Sequence, residues 1–509
     1  MRKQWNWICL ICAVLLPVAY WGTVRAMFIP EGRETSEDAF WHVAAGRRSL
    51  TEMVDRKFPL TLSVWRDHYA DKELMFHLLI KGWGAVEKLF SSSPLSPPFT
   101  GASCLFMLLF FGMFVTAAHS LGTAPPKILL ASLLCGMLIP NFTYRLMMLR
   151  PHVLSMALMM GAVALLAQGP RSRAARFGIF GLGFLYAWSY SSPHLLCVTA
   201  FLFGIGYFPR EKLRGFLPFV LSVAGVFCGL LIHPQSPNTF LIWKVQALDA
   251  LLAPLAGNSI QLPFARELLP PRFHWLLLAL PALAAVYFCL MGLIRIREKE
   301  SWKEMPPNLL ALGCCTLFWT GAMCVVSIRP VEYAVPMICL TGFPLLDHLR
   351  ERGLFRCLSH TGAVWGGVAA LIVLCGVYTT QNCVENLKIW CSPSPRELAE
   401  ALRKHVPAGA KVVNIVWSDF PYLSFAAPEY EYAWALDPMF SYAYDPERTE
   451  ELGRFGRDGR RRRPGKLAAL MDADYAVVVF DTNVVGRFLE RSGWRPLYRG
   501  KDGWLFRLR

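Results

Sequence analysis

The sequence predicts a polytopic α-helical membrane protein of about 11 transmembrane helices that carries a small C-terminal α/β domain. Three observations predict it. The 509 residues are 54% hydrophobic and 17% charged, where a soluble domain is nearer a quarter charged. Apolar runs of bilayer-crossing length recur between residues 8 and 380. After residue 395 they give way to short strand and helix patterns.

The runs place spans at 8–24, 101–120, 128–146, 153–168, 176–191, 193–209, 214–232, 273–294, 307–328, 331–347 and 362–380. The first, in "MRKQWNWICLICAVLLPVAYWGTV", has the shape of a signal peptide without a clear cleavage site and reads as a retained signal anchor. Loop charge tests the order. With Arg2 and Lys3 in the cytoplasm, the inner loops are "RSRAAR", "REKLR", "RIREKESWKE" and "HLRERGLFR", all rich in Lys and Arg. The outer segments are then 25–100, 233–272 and everything after 380. This predicts an integral membrane protein with a cytoplasmic N-terminus and an extracytoplasmic C-terminal domain. The domains follow chain order: 1–381 in the membrane, including the first outer loop 25–100, and 382–509 soluble.

The net charge of +16 fits basic loops beside anionic lipid. No nucleic-acid motif accompanies it, so no nucleic-acid partner is expected. Most of the 15 cysteines lie in apolar runs as small hydrophobes. Cys383 and Cys391 share a polar segment, which leaves a disulfide open if that segment is extracytoplasmic. Segment 73–90, "ELMFHLLIKGWGAVEKLF", mixes charges with apolar residues and reads as an interfacial amphipathic helix. "SSSPLSPPFT" then breaks the chain. Further on, "RELAEALRKH", "KLAALMD" and "TNVVGRFLER" read as helices, "KVVNIV" and "YAVVVF" as buried strands, and "WRPLYRG" with "GWLFRLR" as a hairpin. The run "RDGRRRRPGK" is either a solvated loop or a contact for anionic headgroups.

Ionisable residues at the outer ends of the spans are functional candidates, because charge at membrane depth is costly. They are Arg145, Arg150, His152, His194, His233, Arg329 and Glu332. Each has a plainer reading: snorkelling to headgroups, capping of a helix end, or an ion pair that only joins two helices. The first outer loop adds "SEDAFWHVAAG". Ser36 could cap a helix whose first turn holds Glu37 and Asp38. On that helix Asp38, Trp41 and His42 share a face. A carboxylate, an imidazole and an aromatic wall suit a sugar and its phosphate. The carboxylate could deprotonate an acceptor hydroxyl, and Arg and His could stabilise a departing phosphate.

These residues resemble the type C (GT-C) membrane glycosyltransferases, within them a bacterial group related to the dolichyl- or polyprenyl-phosphate-mannose protein mannosyltransferases. Asp38, Phe40, Trp41, His42 and Gly46 match a first-loop pattern D-x-W/F-W-H-L-x-x-G, followed by Pro59, Ser63, Glu73 and Leu74. "MLRPHVLSMAL" and "LIHPQSPNTF" resemble two later segments of that group. The chain departs from the pattern in "PLTLS", which lacks an acid, at Met75, where a Trp is usual, and at His233, where an Asn is usual. The resemblance implies an integral membrane glycosyltransferase that moves a sugar from a polyprenyl-phosphate carrier to an extracytoplasmic lipid, glycan or protein acceptor. It implies Asp38 as general base, with Glu37 and Glu73 as further acids. It implies that His42, Arg150, His233 and Arg329 hold the lipid phosphate; Trp41, Arg145, His152, His194 and Glu332 remain substrate-binding candidates from the first loop and the outer helix ends. It assigns no certain cofactor; some relatives use a divalent cation near the loop acid, for which Glu37, Asp38 and His42 offer ligands. The competing reading is a non-enzymatic translocator or scaffold for envelope polysaccharide assembly, which leaves "EDAFWH" unexplained.

Overall fold

A computed structural model describes residues 2–252, 267, 270–354, 361–457, 463–480 and 485–509. The chain packs as two units. The first comprises Met1–Ile29, Thr100–Gly229 and Glu267–Trp390; the second comprises Pro30–Phe99, Leu230–Arg266 and Cys391–Arg509.

The first unit is a helical bundle. Among the described residues, helices occupy each of the eleven predicted positions. Six are long and apolar enough to cross a membrane, or seven if a bent pair counts as one span. The spans expected at 193–209 and 214–232 are helices His194–Glu211 and Leu217–Ile232, joined by a 3-10 turn, Lys212–Phe216. The bent pair corrects the predicted span 128–146. Helix Pro125–Met137 and helix Pro140–Met147 meet at 90°. Pro140 causes the break: a residue before proline is driven out of the helical region, and Ile139 is extended, at φ −136° and ψ 127°. The chain re-enters a helix with Pro140 at its first position, where no amide is needed. The predicted span 273–294 is likewise two helices, Phe273–Leu278 and Leu280–Lys299. Helices Arg173–Ser189 and Leu217–Ile232 touch backbone to backbone, because Gly183, Gly225 and Gly229 leave no side chain between them.

The second unit is α/β. Its main sheet uses strands β3 (Lys411–Asn414), β4 (Glu431–Tyr432), β5 (Tyr475–Val479), β6 (Arg495–Arg499) and β7 (Gly503–Arg507), in the order β4-β3-β5-β7-β6. β3 pairs in parallel with β4 and β5, and β7 runs antiparallel to β5 and β6, so the predicted hairpin closes the sheet. The predicted helices appear at Arg396–His405, Pro464–Met471 and Val485–Arg491. Residues 482–484 of the last, and 458–462 of the basic run, lie outside the described residues.

The soluble boundary expected at residue 381 follows chain order, whereas packing joins the first loop to the C-terminal residues. Thr61 and Leu62 amides donate to the carbonyls of Tyr432 (2.9 Å) and Ala433 (2.8 Å), so "PLTLS" lies along β4. Leu62 is fully buried in one core with Trp434, Trp494 and Phe506. A short pair, β1 (Arg33–Glu34) with β2 (Ser392–Pro393), ties the loop's start to the segment after the last bundle helix. Cys383 and Cys391 are both buried thiols that no disulfide joins, so the pairing left open by the sequence is not made.

Candidate functional site

In the second unit, helix Glu37–Arg47 begins where the sequence put it. Ser36 has extended backbone but makes no side-chain capping bond, so the first-turn acids Glu37 and Asp38 carry the favourable charge there. The buried face presents Phe40, Trp41, His42 and Val43. It packs on helix Leu74–Glu87 at Gly46, where a Cβ would lie 2.7 Å from Ile80 Cγ2 and 3.3 Å from the His77 carbonyl. That close approach sets His42 against His77.

The two imidazoles are hydrogen-bonded, His42 Nδ1 to His77 Nε2 at 3.0 Å. The other nitrogen of His77, Nδ1, lies 2.7 Å from Asp71 Oδ2. A carboxylate can only accept, so Nδ1 of His77 carries the proton and Nε2 presents its lone pair. Glu73 completes the group, with Oε2 3.9 Å from His42 Nδ1. Donor atoms of His42, Glu73 and His77 all lie within 4.8 Å of one another, and all three residues are buried. Two imidazoles and a carboxylate form a zinc-type ligand set, and Asp71 orients one of them from behind.

Local electrostatics separates the acids. Burial pushes the Asp71 carboxyl up, but the His77 imidazole and the Glu73 amide outweigh it and hold the group below its ordinary range. Burial also pushes Glu73 up; Lys72 and His77 offset this only in part, and Glu73 stays raised. Burial takes His233 down to about 4, a neutral ring, against the pull of Asp71. The loop 233–238 holds Asp71 from the other side: the Asp71 amide donates to Gln235 Oε1 at 2.7 Å, and the Gln235 amide donates to His233 Nδ1 at 3.2 Å.

Asp38 is half-buried and Glu37 exposed, on the first turn of the helix. Asp38 is near enough to contribute to the raised Glu73. Trp41 is 3% exposed and lies among Phe58, Trp65 and Phe420, with ring centroids 5.2–5.6 Å away.

The first unit gathers charge at its helix ends. Arg145, in the last turn of Pro140–Met147, donates from Nε to Glu332 Oε1 at 2.8 Å, with Nη2 on the same oxygen, and from Nη1 to Glu267 Oε2 at 2.6 Å. Arg150, just before helix Pro151–Leu166, reaches Glu267 Oε1 at 3.4 Å. Arg329 donates to that oxygen too. One carboxylate is thus clasped by three guanidinium groups. His152 holds the arrangement from below, its Nε2 2.9 Å from the Arg145 carbonyl. His194 opens helix His194–Glu211, half-buried.

The predicted residues therefore divide. Glu37, Asp38, Trp41, His42, Glu73 and His233 belong to the second unit; Arg145, Arg150, His152, His194, Arg329 and Glu332 belong to the first. Sequence reasoning missed Asp71, His77 and Gln235 in one and Glu267 in the other. Glu73 and His77 are one helical turn apart in sequence, a spacing that puts them on one face. Glu267, beside Arg266 in "PFARELLPP", carries no periodic signal.

No family model and no curated protein matches the sequence. Solved structures do match the fold. The archaeal oligosaccharyltransferase AglB from Archaeoglobus fulgidus, in complex with an inhibitory peptide and a dolichol-phosphate, gives a TM-score of 0.61 at 10% identity over 99% of this chain and 74% of that one. The A. fulgidus oligosaccharyltransferase in complex with Zn and sulfate gives 0.54 at 10% identity, over 97% and 72%. ArnT from Cupriavidus metallidurans bound to undecaprenyl phosphate gives 0.52 at 12% identity, over 99% and 98%. With its apolar helices and its small sheet, this integral membrane protein shares the fold of these solved oligosaccharyltransferase and ArnT structures.

Proposed function

We propose that the protein transfers a sugar from a polyprenyl-phosphate carrier to a lipid, glycan or protein acceptor on the outer side of the bacterial inner membrane. The observation that carries this reading is the clasp of Arg145, Arg150 and Arg329 at the helix ends of an apolar bundle. Guanidinium forks match phosphate geometry, and charges kept at such depth are retained for a task. The fold neighbours solved with dolichol-phosphate and with undecaprenyl phosphate support the same ligand class.

In this reaction an acceptor oxygen bonds to the anomeric carbon as the bond from that carbon to the phosphate oxygen breaks. The acceptor proton goes to a base, and the carrier leaves as polyprenyl phosphate. Asp38 is the proposed base, half-buried on the first turn of its helix. Glu37 stands next to it as a second acid. Arg145, Arg150 and Arg329 would neutralise the departing phosphate, with Glu332 and His152 fixing Arg145 and His194 as a further ligand at a helix end. Trp41, packed against Trp65 and Phe420, would support the helix that carries Asp38.

The residues also fit a divalent cation. His42, Glu73 and His77 converge with the donor spacing of a metal centre, and Asp71 already holds the tautomer of His77 whose Nε2 lone pair points toward His42 and could ligate an ion in place of that hydrogen bond. His233 and Gln235 position Asp71. Such an ion would supply a positive charge that polarises a phosphate or hydroxyl oxygen. The fold neighbour solved with Zn and sulfate supports the choice of a zinc-type ion.

The test uses purified protein in lipid, a panel of polyprenyl-phosphate sugars, and release of polyprenyl phosphate as readout. Wild type should release it, and Asp38→Asn should lose turnover by about 10²- to 10⁴-fold while carrier binding persists. A translocator would tolerate Asp38→Asn. No release from any donor would overturn the transferase reading.

A further inference from the structure

The clasp on Glu267 raises its own question. An arginine cluster built for a lipid phosphate should be open to anions, yet this one already holds a carboxylate. Both oxygens are engaged: Oε2 by Arg145 at 2.6 Å, and Oε1 by Arg150 at 3.4 Å and by Arg329. Burial pushes this carboxyl up, but Arg329, Arg150 and Arg145 outweigh it and hold Glu267 well below its ordinary range, as an anion. Glu332 is different. It is 1% exposed, lies in the first turn of the helix Val331–Glu351, and pairs with Arg145. Glu332 is a fixed part of the wall, while the Glu267 side chain is 18% exposed.

Charge supports a replaceable anion. Among the described residues three arginines face two glutamates, and the Arg329 Nε–H is buried with no hydrogen-bond acceptor. A phosphodiester carries one negative charge and two free oxygens, as a carboxylate does. Replacing Glu267 by a sugar phosphodiester would leave the charge of the cluster unchanged. Replacing it by the dianionic carrier phosphate after transfer would bring three arginines, Glu332 and the ligand to neutrality.

We propose that Glu267 is a built-in placeholder, a carboxylate that occupies the carrier-phosphate position in the resting protein and is displaced when a polyprenyl phosphate binds. The inference rests on the phosphate-binding reading of the clasp. It makes Glu267 a competitor for the site rather than a ligand of the substrate. Its benefit is physical: three guanidinium groups stay paired and pre-oriented in an apolar bundle while no substrate is bound. Its cost is apparent affinity, which falls by the fraction of time the site is self-occupied.

The experiment titrates undecaprenyl phosphate, and uncharged undecaprenol as control, into the full chain in lipid nanodiscs, with binding read by native mass spectrometry. Glu267→Gln should bind the phosphate more tightly, on the order of tenfold if the site is about nine-tenths self-occupied, and bind undecaprenol as wild type does. Glu332→Gln adds the same charge without vacating the position, so it should not tighten binding. If Glu267→Gln fails to fold, Glu267→Asp, whose shorter arm loosens the clasp, should show a smaller tightening. Equal or weaker phosphate binding by both Glu267 variants, with wild type binding normally, overturns the placeholder and leaves the phosphate site standing. Tightening by Glu332→Gln equal to that of Glu267→Gln overturns it as well, since the effect is then one of general charge. If neither wild type nor variant binds undecaprenyl phosphate, the phosphate reading itself falls and takes the placeholder with it.

Discussion

Removing the Asp71 carboxylate should loosen the proposed cation site without touching a ligand. Asp71→Ala deletes two hydrogen bonds, Oδ2 to His77 Nδ1 at 2.7 Å and Oδ1 to the Glu73 amide at 3.1 Å. His77 is fully buried and Glu73 is 5% exposed, so water does not replace either bond. A hydrogen bond to a charged group contributes roughly 1.5–3 kcal/mol, which sets the loss of stability at about 3 kcal/mol or more. The same change frees His77 to turn and to exchange tautomers. Loss of an outer carboxylate typically lowers metal affinity 10- to 100-fold, about 1.4–2.7 kcal/mol. The assay is zinc titration of the purified protein against a competing chelator, with thermal unfolding measured in the presence and absence of EDTA. Wild type should bind one ion and melt lower with EDTA. Asp71→Ala should bind more weakly, Asp71→Asn should fall between, and His77→Ala should lose the ion. If Asp71→Ala binds zinc like wild type while His77→Ala does not, Asp71 does not orient the ligand. If wild type holds no stoichiometric ion, the triad is a hydrogen-bonded core and no metal centre.

Two further outcomes follow from packing and from burial. Gly225→Ala should destabilise the bundle by about 1–3 kcal/mol, because its Cβ would meet the Phe180 carbonyl on the facing helix, whereas Gly112→Ala, with nothing within 4 Å, should be tolerated; equal melting temperatures for the two variants in one detergent would refute the close contact. Burial, reinforced by Glu37, pushes the Asp419 carboxyl well above its ordinary range although its Oδ2 accepts from the Val479 amide at 2.9 Å. A carboxyl raised on folding favours the folded state below its unfolded value, about 4, and that advantage is lost as pH climbs toward the raised value. Asp419→Asn, which keeps an acceptor, should therefore gain stability over wild type as pH rises from 4 to 8, and a difference that stays flat across that range would contradict the assignment.

The sequence by itself determined the local half of this protein. Apolar run length placed the bundle helices, because burying a backbone in lipid demands a continuous helix of known length. Short continuous apolar runs placed β3 and β5, and two strand-like runs at the C-terminus placed the closing hairpin. Charge placed Arg145, Arg150, Arg329 and Glu332 at helix ends, and first-turn acids placed the start of helix Glu37–Arg47. Pro140 was visible in the sequence, but hydropathy averaged over it and missed the bend. Tertiary structure alone decided the sites. His42 meets His77, 35 residues away, only because Gly46 lets two helices close, and Arg145 meets Glu267, 122 residues away. It also decided that "PLTLS" joins the edge of a sheet whose other strands come more than 340 residues later. Hydrophobic periodicity is a property of neighbours along the chain and is written there. Which buried polar groups face one another depends on where whole elements pack, and no local spacing of residues encodes that.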